Sequence, residues 1–224
     1  MLGELREALS SIGDGTTFLI IDSEGEKAFS AGASVQDHLG DRVSAMLGEF
    51  HDCFRILNRL DLITIALVRG VALGGGCELA LACDFVLASD RARFGQPEIN
   101  LGVFPPVAAY QLSRQLPARK GLELLLTGIS IDAADAQAFG LVNAVFPLDA
   151  FSVAADEWIG RLRKQSHSSL RLARKAFRMA QVDEFEEKLE LVERFYLDEL
   201  MKTDDANEGL NAFLQKRKPV WKNG

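Results

Sequence analysis

Little in this chain could hold a metal ion or staple a fold. Its three histidines, His38, His51 and His167, are scattered, which argues against a histidine metal centre. Cysteine is as sparse: Cys53, Cys77 and Cys83 are an odd number with no ligand-like pairing. Cys77 and Cys83 lie in apolar sequence and read as reduced core thiols, the pattern of a cytoplasmic protein. No apolar run approaches membrane-spanning length, and the opening stretch 1–7 reads as a charged amphipathic helix, not a signal peptide. Positive charge is in deficit too. With 25 Lys and Arg against 32 Asp and Glu, the net charge is −7, which disfavours nucleic acid or an anionic membrane as the main partner. Local basic clusters still suit a phosphate-bearing ligand. The expectation is a soluble intracellular protein without a metal.

What is present is an ordinary globular composition: 224 residues, 48% hydrophobic and 25% charged. That length fits one domain with a helical appendage. Phe18-Leu19-Ile20-Ile21 reads as a short buried strand ended by the turn Asp22-Ser23-Glu24-Gly25. From Asp41 to Leu60, Val43, Met46, Leu47, Phe50, Phe54 and Leu57 recur at helical spacing. Further buried strands are predicted at 63–68, 85–88 and 142–146, with a helix carrying Glu78 between the first two. Strands alternating with helices imply an α/β fold with largely parallel pairing over 1–148. From 149 to 224 the pattern is helix upon helix, at 151–164, 168–180, 184–201 and 205–218. The apolar stripe of Phe185, Leu189, Val192, Phe195 and Tyr196 needs a partner surface, on its own subunit or on another. The sequence has no internal repeat and no low-complexity segment.

Chemistry enters with Gly74-Gly75-Gly76-Cys77-Glu78 and the later Phe94-Gly95-Gln96-Pro97-Glu98. Three glycines let backbone approach a ligand closely, and amides at the start of the following helix suit an oxygen gaining negative charge. Alone, such a triplet is an ordinary loop and its glutamates ordinarily face water. Ala31-Gly32-Ala33 upstream changes the balance. If the amides of Ala33 and Gly75 meet, they form an oxyanion hole for a carbonyl turning into an enolate; one such donor is worth about 3–4 kcal/mol. Glu78 and Glu98 would then flank the neighbouring carbons. Because two close carboxylates resist ionising together, one can hold a proton while the other accepts one. The expected chemistry is hydration or dehydration of a double bond conjugated to a carbonyl.

These residues resemble the crotonase superfamily, the enoyl-CoA hydratase/isomerase family. The likeness rests on Lys27-Ala28-Phe29-Ser30-Ala31-Gly32-Ala33, on Gly70 through Glu78, on Phe94 through Glu98, on Gly140-Leu141-Val142-Asn143 and on Phe213 through Pro219. It implies a ββα spiral core with a C-terminal helical trimerisation region, and assembly as a trimer or dimer of trimers. It also implies oxyanion amides at Ala33 and Gly75, acid/base roles for Glu78 and Glu98, and an acyl-CoA substrate with no separate cofactor. Lys27, Ser30 and Ala31 would border the coenzyme A channel, with Phe213 and Lys216 at its nucleotide end. Lys216-Arg217-Lys218 by itself reads equally as a solvated chain end.

Two departures from the family pattern stand out. The family opens with a β-hairpin and an Asn-Arg-Pro-type loop, whereas Met1 here coincides with its first helix. The hairpin is therefore expected to be missing, by truncation, by a misassigned start, or with an edge strand to be covered. Phe104-Pro105-Pro106-Val107 replaces a glycine-rich stretch that helps to hold the attacking water, and Pro106 has no amide hydrogen to offer. This variant, with Ser30 through Val35, resembles the cyclic dienoyl-CoA hydratases of aromatic degradation. The alternatives are a double-bond isomerase, which needs no water, and a non-catalytic acyl-CoA- or RNA-binding member of the fold.

Overall fold

The computed structural model describes residues 2–13, 15–39, 42–180 and 185–222. Met1, Asp41 and Glu184, each read as part of a helix, lie outside them. The described chain winds as a spiral in which each turn lays one strand in each of two sheets. The first sheet has the order β1-β3-β5-β8, from Phe18–Ile21, Ile63–Val68, Phe85–Ser89 and Ala144–Phe146, and all its pairings are parallel. The second has the order β2-β4-β6-β7, from Ala28–Ser30, Val71–Leu73, Arg93–Gly95 and Ser130–Asp132. There β2, β4 and β6 run parallel and β7 returns antiparallel. All four strands predicted from the residues belong to the first sheet, and the last begins at Ala144 instead of 142.

Packing explains why the spiral closes. Every residue of β3 is buried, because one face meets the inter-sheet core and the other meets a helix. On the inter-sheet side, Ala66, Val68, Ala72, Val86, Ala88 and Phe94 share a cluster with α3 (Gly75–Leu81). On the other side, Ile63, Ile65, Leu67 and Leu87 pack on Phe151, Ala155 and Ile159 of α7 (Phe151–Arg163). The helical C-terminal part is therefore packed onto the spiral. The N-terminal helix α1 (Leu2–Ser10) packs through Leu5 and Leu9 on Cys53 and Leu57 of α2 (Arg42–Arg59). All three cysteines are buried and free, and no described helix is long and apolar enough to cross a membrane.

Three helices join β6 to β8: α4 (Pro106–Gln115), α5 (Ala118–Thr127) and α6 (Ala133–Ala138). After α7 come α8 (His167–Ala180), α9 (Phe185–Asp198) and α10 (Asp204–Leu214). The last of these ends four residues earlier than the expected 205–218, since Lys216 turns left-handed at φ 54° and the chain reverses. The N–H of Lys216 donates to the Phe213 carbonyl, and that of Arg217 to the Ala212 carbonyl, a helix-ending pair of bonds that usually places glycine at the turn.

Helix α10 braces the turn Pro97–Leu101 that carries Glu98. Gly209 is what lets it approach, because a Cβ there would stand 2.1 Å from the Leu101 carbonyl oxygen. Gly160, inside α7, has open space around the same position. Gly160→Ala should therefore raise stability by about 1 kcal/mol through helix propensity. Gly209→Ala should lower it by about 1–3 kcal/mol through overpacking against backbone, despite the same propensity gain. Denaturant unfolding of both variants checks this; a stabilised Gly209→Ala would show that the turn is not braced there.

Candidate active site

The glycine turn sits where the two sheets meet α3. Gly74 takes φ 53° and ψ −129° just before the helix, a conformation that side chains resist. The space beside it is also taken, because a Cβ on Gly74 would lie 2.4 Å from Glu98 Oε1. A glycine there is what lets a carboxylate from another turn of the spiral lie against the backbone. Gly75 is the first residue of α3, so its N–H has no intrahelical acceptor. The Ala31-Gly32-Ala33 segment arrives beside it: a Cβ on Gly32 would stand 3.0 Å from the Gly75 nitrogen. Ser30 Oγ accepts from the Gly32 N–H at 3.2 Å and fixes the bend. The two expected oxyanion segments are thus neighbours. A cavity of about 40 Å³ between them is lined by Ser30, Gly32, Ala33, Phe50 and Gly75, with Leu2 and Leu5 of α1 as part of its wall.

Glu78 lies one helical turn beyond Gly75 and is 2% exposed. Its Oε1 accepts the Ala108 N–H at 2.6 Å, and Gln111 Nε2 donates to its carbonyl at 3.1 Å. Ala108 is in the first turn of α4, so the positive end of that helix points at the carboxylate. Burial raises the Glu78 pKa above the ordinary carboxylate value, and the charge of Glu98 raises it further; the Ala108 and Val107 amides oppose both. Burial raises Glu98 as well, against its own backbone N–H. Glu98 Oε2 is buried without a hydrogen-bond partner among the described residues. The two carboxylates titrate as a pair that keeps a proton at neutral pH. Amide donors favour charge on Glu78, and the partnerless oxygen favours the acid form of Glu98, while burial raises both.

The remaining expected residues lie around this centre. Pro105 and Pro106 are buried at the start of α4, where Pro106 occupies the first helical position, which needs no N–H for the helix itself. Phe104 stands edge-on to Tyr196 with ring centroids 5.4 Å apart. Lys27 and Ala31 are exposed at either end of β2, with Ser30 half-buried. Phe213 and Lys216 are exposed at the end of α10, whose buried face meets the turns Val35–His38 and Pro97–Leu101. The residue pattern missed the Ala108 amide, which is 30 residues from the carboxylate it binds. It also gave Tyr196 a packing role only. It is 1% exposed, and its buried hydroxyl has no hydrogen-bond partner among the described residues. Among the described residues, no group of three or more His, Cys, Asp or Glu could hold a metal ion.

A two-sheet spiral with a glycine turn, an adjacent backbone loop and a buried carboxylate pair defines a class of catalyst suited to enolate-forming chemistry. The chain belongs to the family described as enoyl-CoA hydratase/isomerase, which it matches over residues 1–224. It is 41% identical over 208 residues to the cyclohexa-1,5-dienecarbonyl-CoA hydratase of Thauera aromatica, covering 92% of this chain and 79% of that one. It is 38% identical to the 2,3-dehydroadipyl-CoA hydratase of Escherichia coli, covering 87% and 76%. Among solved structures, an enoyl-CoA hydratase from Mycobacterium avium subsp. paratuberculosis superposes with a TM-score of 0.86 at 28% identity, covering 99% of this chain and 87% of that one.

The raised pKa values fix a sign. A folded state that binds the carboxyl proton more tightly than the unfolded chain gains stability below the ordinary carboxylate pKa and loses it as pH rises through the raised values. Glutamine keeps the shape and removes the titration. The Glu78→Gln/Glu98→Gln double variant should therefore lose less melting temperature than wild type between pH 6 and pH 9. Equal losses in thermal melts would mean that the pair is not buried with a proton.

Proposed function

We propose that the protein is an acyl-CoA hydratase that adds water across a double bond conjugated to a CoA thioester. The observation that carries this reading is the meeting of Glu78 and Glu98 beside the Gly75 helix start, with one carboxyl group held by amides and the other left with a bare oxygen. The hydratases among its relatives support it.

In this reading the thioester oxygen lies between the Ala33 and Gly75 amides. Glu78, as carboxylate, takes a proton from water while the water oxygen bonds to the β-carbon. The double-bond electrons move toward the thioester and give an enolate whose oxygen the amides stabilise. Glu98, as acid, delivers its proton to the α-carbon and the carbonyl reforms. The pair ends with the proton exchanged from one carboxyl group to the other, and the substrate has gained one water. No cofactor enters, since coenzyme A is part of the substrate. Lys27 and Lys216 hold its phosphates, Ser30 and Ala31 border its channel, and Phe213 packs at the nucleotide end. Assembly with copies of the same chain, as a trimer or dimer of trimers, covers apolar side chains now exposed on α5, α8 and α9, such as Leu126, Phe177 and Leu191.

Replacing either carboxyl group should leave the fold intact and remove turnover. Glu78→Gln and Glu98→Gln are each expected to lose roughly 10²- to 10⁴-fold in kcat, the usual contribution of a positioned acid or base. The assay identifies products, because a 3-hydroxyacyl thioester marks hydration and a shifted enoyl thioester marks isomerisation. Near-normal turnover in either variant would remove that residue from the mechanism.

The substrate is a flat cyclic dienoyl thioester. Phe104, Pro105 and Pro106 lead into the α4 amide that binds Glu78, and this stretch is apolar, stiff and without an amide hydrogen at the prolines. A rigid ring loses less entropy on binding there than a flexible chain does. Higher kcat/KM is expected for cyclohexa-1,5-diene-1-carbonyl-CoA than for crotonyl-CoA, and Pro106→Gly should narrow the gap. Faster hydration of crotonyl-CoA by wild type would overturn the cyclic preference and leave the hydratase reading in place.

A further inference from the structure

The start of α4, beside Glu78, leaves no spare donor for a water molecule. The Ala108 N–H is bonded to Glu78, and Pro105 and Pro106 have none. Water that loses a proton to Glu78 still needs a donor at its oxygen to hold it in line with the β-carbon. Tyr196 on α9 carries a hydroxyl that can donate. Its ring is packed among Val43, Met46, Leu47 and Val103, and shares that cluster with Ala33, Phe50, Leu101 and Phe104. Those neighbours link it to the oxyanion segment on one side and to the loop after Glu98 on the other. The phenol ring is fixed edge-on to Phe104, immediately before the two prolines. The residue is 1% exposed, yet its hydroxyl has no partner among the described residues, which is a costly state for a purely structural side chain. Glu98 Oε2, in the same region, is also buried and partnerless.

We infer that the Tyr196 hydroxyl donates a hydrogen bond to the water molecule that Glu78 deprotonates, holding its oxygen for attack on the substrate. The inference rests on the hydratase reading and assigns the water-holding group that the Pro105-Pro106 turn does not supply. Tyr196 keeps its proton throughout: burial first, then the charges of Glu98 and Glu78, push the phenol pKa above its ordinary value. It acts as a donor, and the acid and base steps remain with the carboxyl pair.

Tyr196→Phe keeps the ring and its packing and removes the hydroxyl. Two reactions separate the roles. Hydration of an enoyl-CoA or cyclic dienoyl-CoA needs the held water. Exchange of the α-hydrogen of saturated butyryl-CoA with deuterium oxide needs Glu98 and the oxyanion amides but no added water. The variant should lose roughly 10- to 100-fold in hydration kcat, as expected for one hydrogen bond to a reacting group. Its KM should change less than twofold, its exchange rate should stay within twofold of wild type, and its melting temperature should be equal or higher. Hydration within twofold of wild type would overturn the inference and leave the hydratase reading standing. Equal loss of hydration and exchange would also overturn it, by showing that Tyr196 acts through Glu98. If wild type exchanges the α-hydrogen but hydrates nothing, the hydratase reading fails and the inference falls with it.

Discussion

Burial forces Glu78 and Glu98 to share what neither could hold alone. A carboxylate taken out of water is unstable unless donors surround it, and two in one pocket repel each other as well. The resolution is asymmetric: the first turn of α4 donates to Glu78, while Glu98 keeps a buried oxygen with no donor. From this comes a buried carboxyl pair in which the two groups differ in their donors. The same asymmetry ties the site to the fold, because the glycine turn with Glu78, the turn that carries Glu98 and the α4 donors are successive segments that the spiral brings together.

The scaffold holds that arrangement from several directions. Parallel strands β3 and β5 bring the ends of Ile63–Val68 and Phe85–Ser89 into register, so the chain segments that follow them arrive on the same side. Gly74 leaves room for the Glu98 carboxyl group, and α10 presses on the turn that carries it through Gly209. Helix α9 adds the His51–Glu193 contact at 2.6 Å, with Arg55 reaching Glu186 and Glu193. That network ties α9, and with it Tyr196, to α2 and to the Phe50 ring beside Gly75. The C-terminal helices thus contact the candidate site both through side chains and, at Gly209, through backbone.

The first sheet was legible because its strands are apolar runs such as Ile63-Thr64-Ile65-Ala66-Leu67-Val68, buried on both faces. The second sheet was not legible from residue patterns, since its strands are only three residues long and show no period; it followed from the family resemblance. Helices α4 to α6 escaped too. Pro105-Pro106 reads as a loop, although proline is well suited to a helix start. The glycine triplet and both glutamates stood out because few other patterns need them together. The Ala108 donor and the Tyr196 hydroxyl did not, because their meaning lies in long-range placement: nothing in the spacing of Phe185, Leu189 and Tyr196 says where a phenol oxygen points.

The shared proton is the claim on which the account depends, and infrared spectroscopy reads it directly through the carbonyl stretch of a buried protonated carboxyl group. Wild type at pH 7 should show this band. It should persist in Glu78→Gln, where Glu98 remains the acid, and weaken in Glu98→Gln, where Glu78 loses the charge that raised it and keeps the α4 amides that favour its ionised form. A wild-type spectrum without the band, or a band that survives in Glu98→Gln and is lost in Glu78→Gln, would contradict the assignment.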